Sequence, residues 1–200
     1  MIATRDKIIG TALLQLSRKG YAGISLRDIA EEVGIKAASI YNHFRSKKEI
    51  VEAVYAHIEK TLDAGLLKQD KIRSVTREHT FGTLWFEWFK EYKKILHTPG
   101  YQNIIRLLSI EQYADDTAAR IILEYMIEKP LRIAEKICGN YLPENSDVST
   151  ALFAAEFFYP LFGMMHEFIL RVSHNQKTTS VEKKMKNHIE FFGSLMRDGK

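Results

Sequence analysis

Apolar residues recur at spacings of three and four along most of the 200-residue chain, the period that turns one side of an α-helix toward a core. Ile8, Ile9, Ala12, Leu13 and Leu16 form the first stripe, and Gly20 is placed to end it in a left-handed turn. Ser25 opens a second helix of about two turns: its hydroxyl can accept a first-turn N–H, and Asp28 brings negative charge to the same end. Leu26, Ile29, Ala30 and Val33 make its inner face. Gly34 then supplies the sharp turn that a Cβ would resist, Ile35 plugs the corner, and Ile40 and Phe44 point inward from a third short helix. Ser46 with Glu49 predicts another capping box at the head of a long helix through Ile50, Val51, Val54, Tyr55, Ile58 and Leu62.

Beyond it, Leu66 to Val75 is polar and basic and predicts a break. Phe81, Leu84, Trp85, Trp88, Phe89, Tyr92, Ile95 and Leu96 make the next stripe, with both tryptophans of the chain. Thr98 and Pro99 suit an N-cap and first turn before a short helix holding Ile104, Ile105, Leu107 and Leu108. Asp115 or Asp116 starts another, with Ile121, Ile122, Tyr125 and Met126, which Pro130 kinks; Gly139 to Ser146 reads as a loop. Asp147 to Ser173 is apolar almost all round and needs cover from the rest of the body or from another subunit. Thr179 with Glu182 caps a last helix carrying Val181, Met185, Ile189, Phe192 and Leu195. The expectation is an all-α chain, with a three-helix helix-turn-helix domain over residues 1–46 and a helical body over residues 47–200.

Composition agrees with a folded chain: 46% hydrophobic and 27% charged residues, with four prolines. The single cysteine, Cys138, leaves no internal disulfide or CxxC site, so a reducing compartment and a cytoplasmic location are expected. Met1 to Gly10 lacks the apolar core of a secretory signal. Ala151 to Val172 approaches a membrane span in length, but Glu156, Pro160, His166, Glu167 and Arg171 interrupt it. Nucleotide-binding glycine loops, GxSxG and HExxH are absent, and the seven histidines have no metal spacing, so neither an enzyme nor a cofactor is expected.

Charge adds a direction. Residues 1–50 hold nine Lys or Arg and five acids, while the rest of the chain balances twenty against twenty, so the whole +4 surplus lies in the first quarter. That asymmetry suits a small polyanion-binding head on a neutral body. The outer side of the third helix is small, polar and acid-free, carrying Lys36, Ala38, Ser39, Tyr41, Asn42 and His43, the surface a helix needs to enter a major groove; an ordinary helical hairpin with a solvated face is the plainer alternative.

The segment SLRDIAEEVGIKAASIYNHFRSKKEIVEAV resembles the DNA-binding domain of the TetR family, in which a tyrosine and a phenylalanine close the recognition helix before a Ser-Lys turn, here Tyr41, Phe44, Ser46 and Lys47. About fifty residues carry the likeness. It implies phosphate contacts from Ser25, Arg27, Tyr41, His43 and Lys47 and base-facing groups from Lys36, Ala37, Ala38, Ser39 and Asn42. Ser25 and Lys47 read equally as a helix cap and a solvated charge. It further implies a homodimer through the two C-terminal helices, a double-stranded palindromic operator, and repression relieved or imposed by a small-molecule effector that tilts the linking helix. Trp88, Tyr125, Tyr159, Phe162 and His166 are the candidate ligand contacts, for a hydrophobic or aromatic molecule, although such a residue is more often a satisfied core or interface group. The rival expectation is a constitutive DNA-binding protein with no inducer.

Overall fold

The apolar stripes become helices with their apolar sides inward. The computed structural model describes residues 4–66, 69–143 and 147–196, and every regular element among them is helical. In order these are α1 (Thr4–Lys19), α2 (Leu26–Val33), α3 (Ala37–Ile40), α4 (Lys47–Gly65), α5 (Gln69–Glu78), α6 (Phe81–Leu96), α7 (Pro99–Glu111), α8 (Asp116–Ile121), a π-helical stretch (Ile122–Glu128), α9 (Lys129–Tyr141), α10 (Thr150–Ser173) and α11 (Thr179–Ser194). They form two compact units: Met1–Leu66 with Pro99–Ile127, and Leu67–Thr98 with Glu128–Lys200.

In the first unit α1 is the central element, packed on α2, α4 and α7. Ile8, Leu16, Ile29, Ile40, Phe44, Ile50 and Ile58 bury their side chains in one apolar cluster, to which α7 and α8 add Ile104, Leu107, Leu108, Ala118 and Ile121. Two polar ties cross it: the Ser17 hydroxyl donates to Asn103 Oδ1 at 3.2 Å, and Arg120 pairs with Glu59 between α8 and α4. Asp115 caps α8, its Oδ1 accepting from Ala118 N at 2.9 Å, and its carboxylate also takes a hydrogen bond from the Tyr55 hydroxyl. Burial and that carboxylate raise the Tyr55 phenol well above its ordinary range.

The second unit is built round aromatic rings. Phe157 on α10 is fully buried, with ring centroids of Trp85, Phe81, Phe192 and His188 at 4.8, 5.0, 5.3 and 5.3 Å. His188 Nε2 donates to the Phe157 carbonyl at 2.8 Å, fixing α11 against α10. Glu167 on α10 accepts from Arg171 Nε at 2.9 Å and from Lys184 Nζ at 3.2 Å, and these bonds, Arg171 first, hold its carboxyl below the usual range. Leu152, Tyr159 and Leu170 on α10, Phe191 on α11 and Leu195 just past its end stay about half exposed.

Several element ends differ from the sequence reading. The break expected over Leu66 to Val75 is confined to its start, because α5 begins at Gln69 and buries Ile72 and Thr76 at i and i+4; residues 67 and 68 lie outside the described residues. Before Pro99, the first residue of α7, the Thr98 hydroxyl donates back to Ile95 O at 2.7 Å. The loop expected from Gly139 begins three residues later, as α9 runs to Tyr141, whose buried hydroxyl donates to His79 O at 2.7 Å; residues 144–146 lie outside the described residues. Pro130 sits in the first turn of α9, directly after the π-helical stretch, where its missing N–H is tolerated. The last helix starts from Thr178 rather than Thr179, and the Thr178 hydroxyl donates to Glu182 Oε1 at 2.7 Å instead of capping a backbone N–H.

Candidate nucleic-acid interface

Three short stretches of the first unit present the candidate groups. At the start of α2 the reciprocal cap is complete: Ser25 Oγ accepts from Asp28 N at 3.2 Å and Asp28 Oδ2 from Ser25 N at 3.1 Å. The Ser25 hydrogen bonds hold the Asp28 carboxyl below its ordinary value, so the acid serves the helix end. Gln15 of α1 locks α2 in place, its Nε2 donating to Glu32 Oε2 at 2.6 Å and to Asp28 O at 3.1 Å. Ser25 and Arg27 are left exposed at this end.

Gly34 makes the turn with φ +80°, in the left-handed region, and Ile35 N donates to Ala30 O at 2.9 Å across the corner. Helix α3 has only four regular residues, after which i to i+3 bonds tighten the chain: Tyr41 N to Ala38 O and Asn42 N to Ser39 O at 3.3 Å, then His43 N to Ile40 O at 2.9 Å. Ile40 and Phe44 are buried and pin this turn to the core. Lys36, Ala37, Ala38, Tyr41, Asn42 and His43 face outward, with Ser39 half-buried. Tyr41 keeps 59% of its surface exposed, which no packing need explains.

At the start of α4, Ser46 Oγ accepts from Glu49 N at 3.2 Å, but the Glu49 carboxylate reaches one residue further back, to Arg45 N at 2.6 Å, so the box is offset from the expected pattern. Half-buried Lys47 projects here, its Nζ 4.2 Å from the centroid of the Tyr21 ring. Arg5 lies likewise over Phe44 at 4.8 Å. Neither aromatic partner is foreseeable from helical spacing, although Tyr21, a lone aromatic between Gly20 and Gly23, offers a signal for one of them. The structure thus places Ser25, Arg27, Lys36, Ala37, Ala38, Ser39, Tyr41, Asn42, His43 and Lys47 at the start of α2, on α3 with the turns flanking it, and at the start of α4.

The five candidate ligand contacts are dispersed. Trp88 is half-buried on α6, stacked on Tyr92 at 5.0 Å and edge-on to Trp85 at 5.7 Å. Tyr159 and His166 are exposed on α10, and Phe162 is half-buried, stacked on Phe158 at 5.9 Å. Tyr125 belongs to the first unit, against its apolar cluster. The tryptophan that faces inward is Trp85, whose indole N–H is buried with no acceptor among the described residues. Burial pushes the Cys138 thiol up to about 12, which leaves it protonated and unreactive near neutrality. No group of three His, Cys, Asp or Glu among the described residues could hold a metal ion.

The family model for bacterial regulatory proteins of the tetR family matches residues 8–54, the whole of this arrangement. The negative regulator of the icaADBC biofilm operon, IcaR, of Staphylococcus aureus is 56% identical over 48 residues, which are 24% of this chain and 26% of that one; the chain thus matches about a quarter of the relative's length. The sequence likeness to the tetR family thus covers residues 8–54. Solved structures extend the likeness of fold over the chain as a whole. One from Mesorhizobium loti has a TM-score of 0.68 at 19% identity, covering 96% of each chain. Another, from Chloroflexus aurantiacus, has a TM-score of 0.63 at 18% identity, covering 98% of this chain and 96% of that one. Both are described as TetR-type transcriptional regulators. No helix among the described residues is long and apolar enough to cross a membrane.

Proposed function

We propose that this chain is a TetR-family DNA-binding transcriptional repressor that occupies a palindromic operator as a homodimer. The observation that carries the reading is the outward face of α3 and the turn after it: seven exposed or half-exposed groups without an acid, held between the serine-capped starts of α2 and α4. Ser25, Arg27, Tyr41, His43 and Lys47 contact phosphates, and Lys36, Ala37, Ala38, Ser39 and Asn42 face base edges. Repression follows the negative regulator IcaR, 56% identical to this chain over 48 residues.

A head with one short recognition helix reads too few base pairs alone, so the dimer is part of the reading. The half-exposed Leu152, Tyr159 and Leu170 of α10, Phe191 of α11 and Leu195 just past its end supply its interface, which also accounts for the exposure of His166. A hydrophobic or aromatic effector carrying an acceptor oxygen would satisfy the buried Trp85 N–H, a group that costs about 1–3 kcal/mol unpaired. The rings packed at 4.8–5.3 Å round Phe157 favour the second reading, a constitutive repressor with a filled body.

Selection of binding sites from random DNA tests the function. The expected result is a palindromic motif whose binding falls in Tyr41→Ala and His43→Ala; absence of any enriched sequence refutes it. Titration of tryptophan fluorescence with aromatic carboxylates separates the two readings of the body, since a filled core gives no quenching and no change in operator affinity.

A further inference from the structure

Glu111, the last residue of α7, is a buried carboxylate, 9% exposed, and a carboxylate in that position needs a donor. It takes one from the other end of the unit's sequence: its Oε1 accepts from the backbone N–H of Tyr21 at 2.7 Å, in the turn between α1 and α2. Gly20 makes the approach possible. Its φ of +65° turns the chain out of α1, and a Cβ built on it would lie 2.9 Å from Glu111 Oε1. The peptide so held carries the Tyr21 ring, and the ring carries the Lys47 ammonium 4.2 Å from its centroid. A lysine at the start of a helix loses about 2 kcal/mol of rotamer freedom when fixed on a phosphate, and a ring face that already restrains the stem removes part of that loss.

We infer that Glu111 and Tyr21 are positioning residues for DNA binding, presenting Lys47 to a backbone phosphate. The inference rests on the DNA-binding reading above and adds to it two residues that touch no DNA in that reading. The chain of contacts is backbone-directed at its first step and cationic at its second. The carboxylate fixes where Tyr21 lies, and the ring's negative face fixes where the ammonium lies, leaving the ammonium's outer N–H groups free to donate.

The test is the affinity of the full chain for a fluorescent duplex carrying its selected sequence, measured over a range of salt concentrations. Lys47→Met should lower the slope of log affinity against log salt by about one. Tyr21→Leu should weaken binding about two- to five-fold when Lys47 is present and cause no further loss in Lys47→Met. Glu111→Ala should match Tyr21→Leu, and Glu111→Gln, which keeps a carbonyl acceptor for Tyr21 N, should restore most of the affinity. Should Glu111→Ala fail to fold, the Tyr21 and Lys47 double-mutant cycle decides alone. Tighter binding by Tyr21→Leu would mean that ring and phosphate compete for the ammonium, and equal losses with and without Lys47 would mean a structural role; either overturns the inference while the regulator reading stands. Failure of the wild-type chain to bind any duplex would overturn both.

Discussion

Two left-handed glycines in one unit allow the cost of a backbone conformation to be separated from the cost of a contact. Gly34→Ala places a methyl group where no atom lies within 4 Å, so only the backbone matters. A left-handed residue with a Cβ costs about 1–2 kcal/mol, and the stiffer unfolded chain offsets roughly 0.4–1 kcal/mol, leaving a net loss of about 1 kcal/mol. Gly20→Ala carries the same two terms at φ +65°, but its Cβ meets Glu111 Oε1 at 2.9 Å. The carboxylate can retreat only by lengthening its 2.7 Å bond to Tyr21 N, and an unmade bond at a partly buried N–H adds about 1–3 kcal/mol. The expected loss for Gly20→Ala is therefore about 2–4 kcal/mol. Urea unfolding of the full chain, followed by circular dichroism, measures both variants. Repeating them on a Glu111→Ala background should bring the Gly20→Ala loss down to that of Gly34→Ala. A surplus that persists without the carboxylate, or no surplus at all, would refute the reasoning.

Other outcomes follow from single residues. Ser25→Ala should destabilise by about 1 kcal/mol through loss of the cap and let the Asp28 titration, read by NMR, move back up toward its ordinary value. Because the folded-state value of Asp28 is depressed, its contribution is complete above the ordinary carboxylate value and disappears as pH falls through the lowered one; helix α2 should loosen only in acid. Cys138, buried with its thiol pushed up to about 12, should resist a disulfide reagent at pH 8 in the native chain and react fully in denaturant. Phe157→Ala empties the centre of the aromatic cluster and should cost about 3–5 kcal/mol, with the tryptophan emission shifting as Trp85 gains solvent; an unchanged spectrum would show that the rings do not depend on one another.

The head was legible because its signals are local. Ser25 with Asp28, Gly34, and the pair Ile40 and Phe44 each act within four or five residues, where capping and helical period decide conformation. The offset at Ser46 shows the limit even there: the Glu49 carboxylate had two N–H groups in reach, and only the turn geometry selects Arg45. In the body the stripes marked which residues are buried but not against what. Trp85 and Trp88 lie in one stripe, yet one is inside and the other half out, because α6 meets neighbours on a narrower face than its apolar run. The extension of α9 to Tyr141 rests on a bond to His79, 62 positions away, which no local pattern around Gly139 announces. Tyr159, Phe162 and His166 share one face of α10 by spacing, but spacing does not say which way that face turns, and at Tyr159 and His166 it is outward.

The cluster that holds the recognition turn in place is completed by Ile104, Leu107, Leu108, Ala118 and Ile121. A ribosome making this chain must therefore pass residue 121 before the first helix has its full set of neighbours, although everything expected to meet DNA has by then been outside for seventy residues or so. During that interval the nascent head carries an uncovered apolar flank. A fragment ending soon after α4 would keep the same flank permanently, and its outcome should be self-association or capture by a chaperone instead of a small autonomous DNA binder.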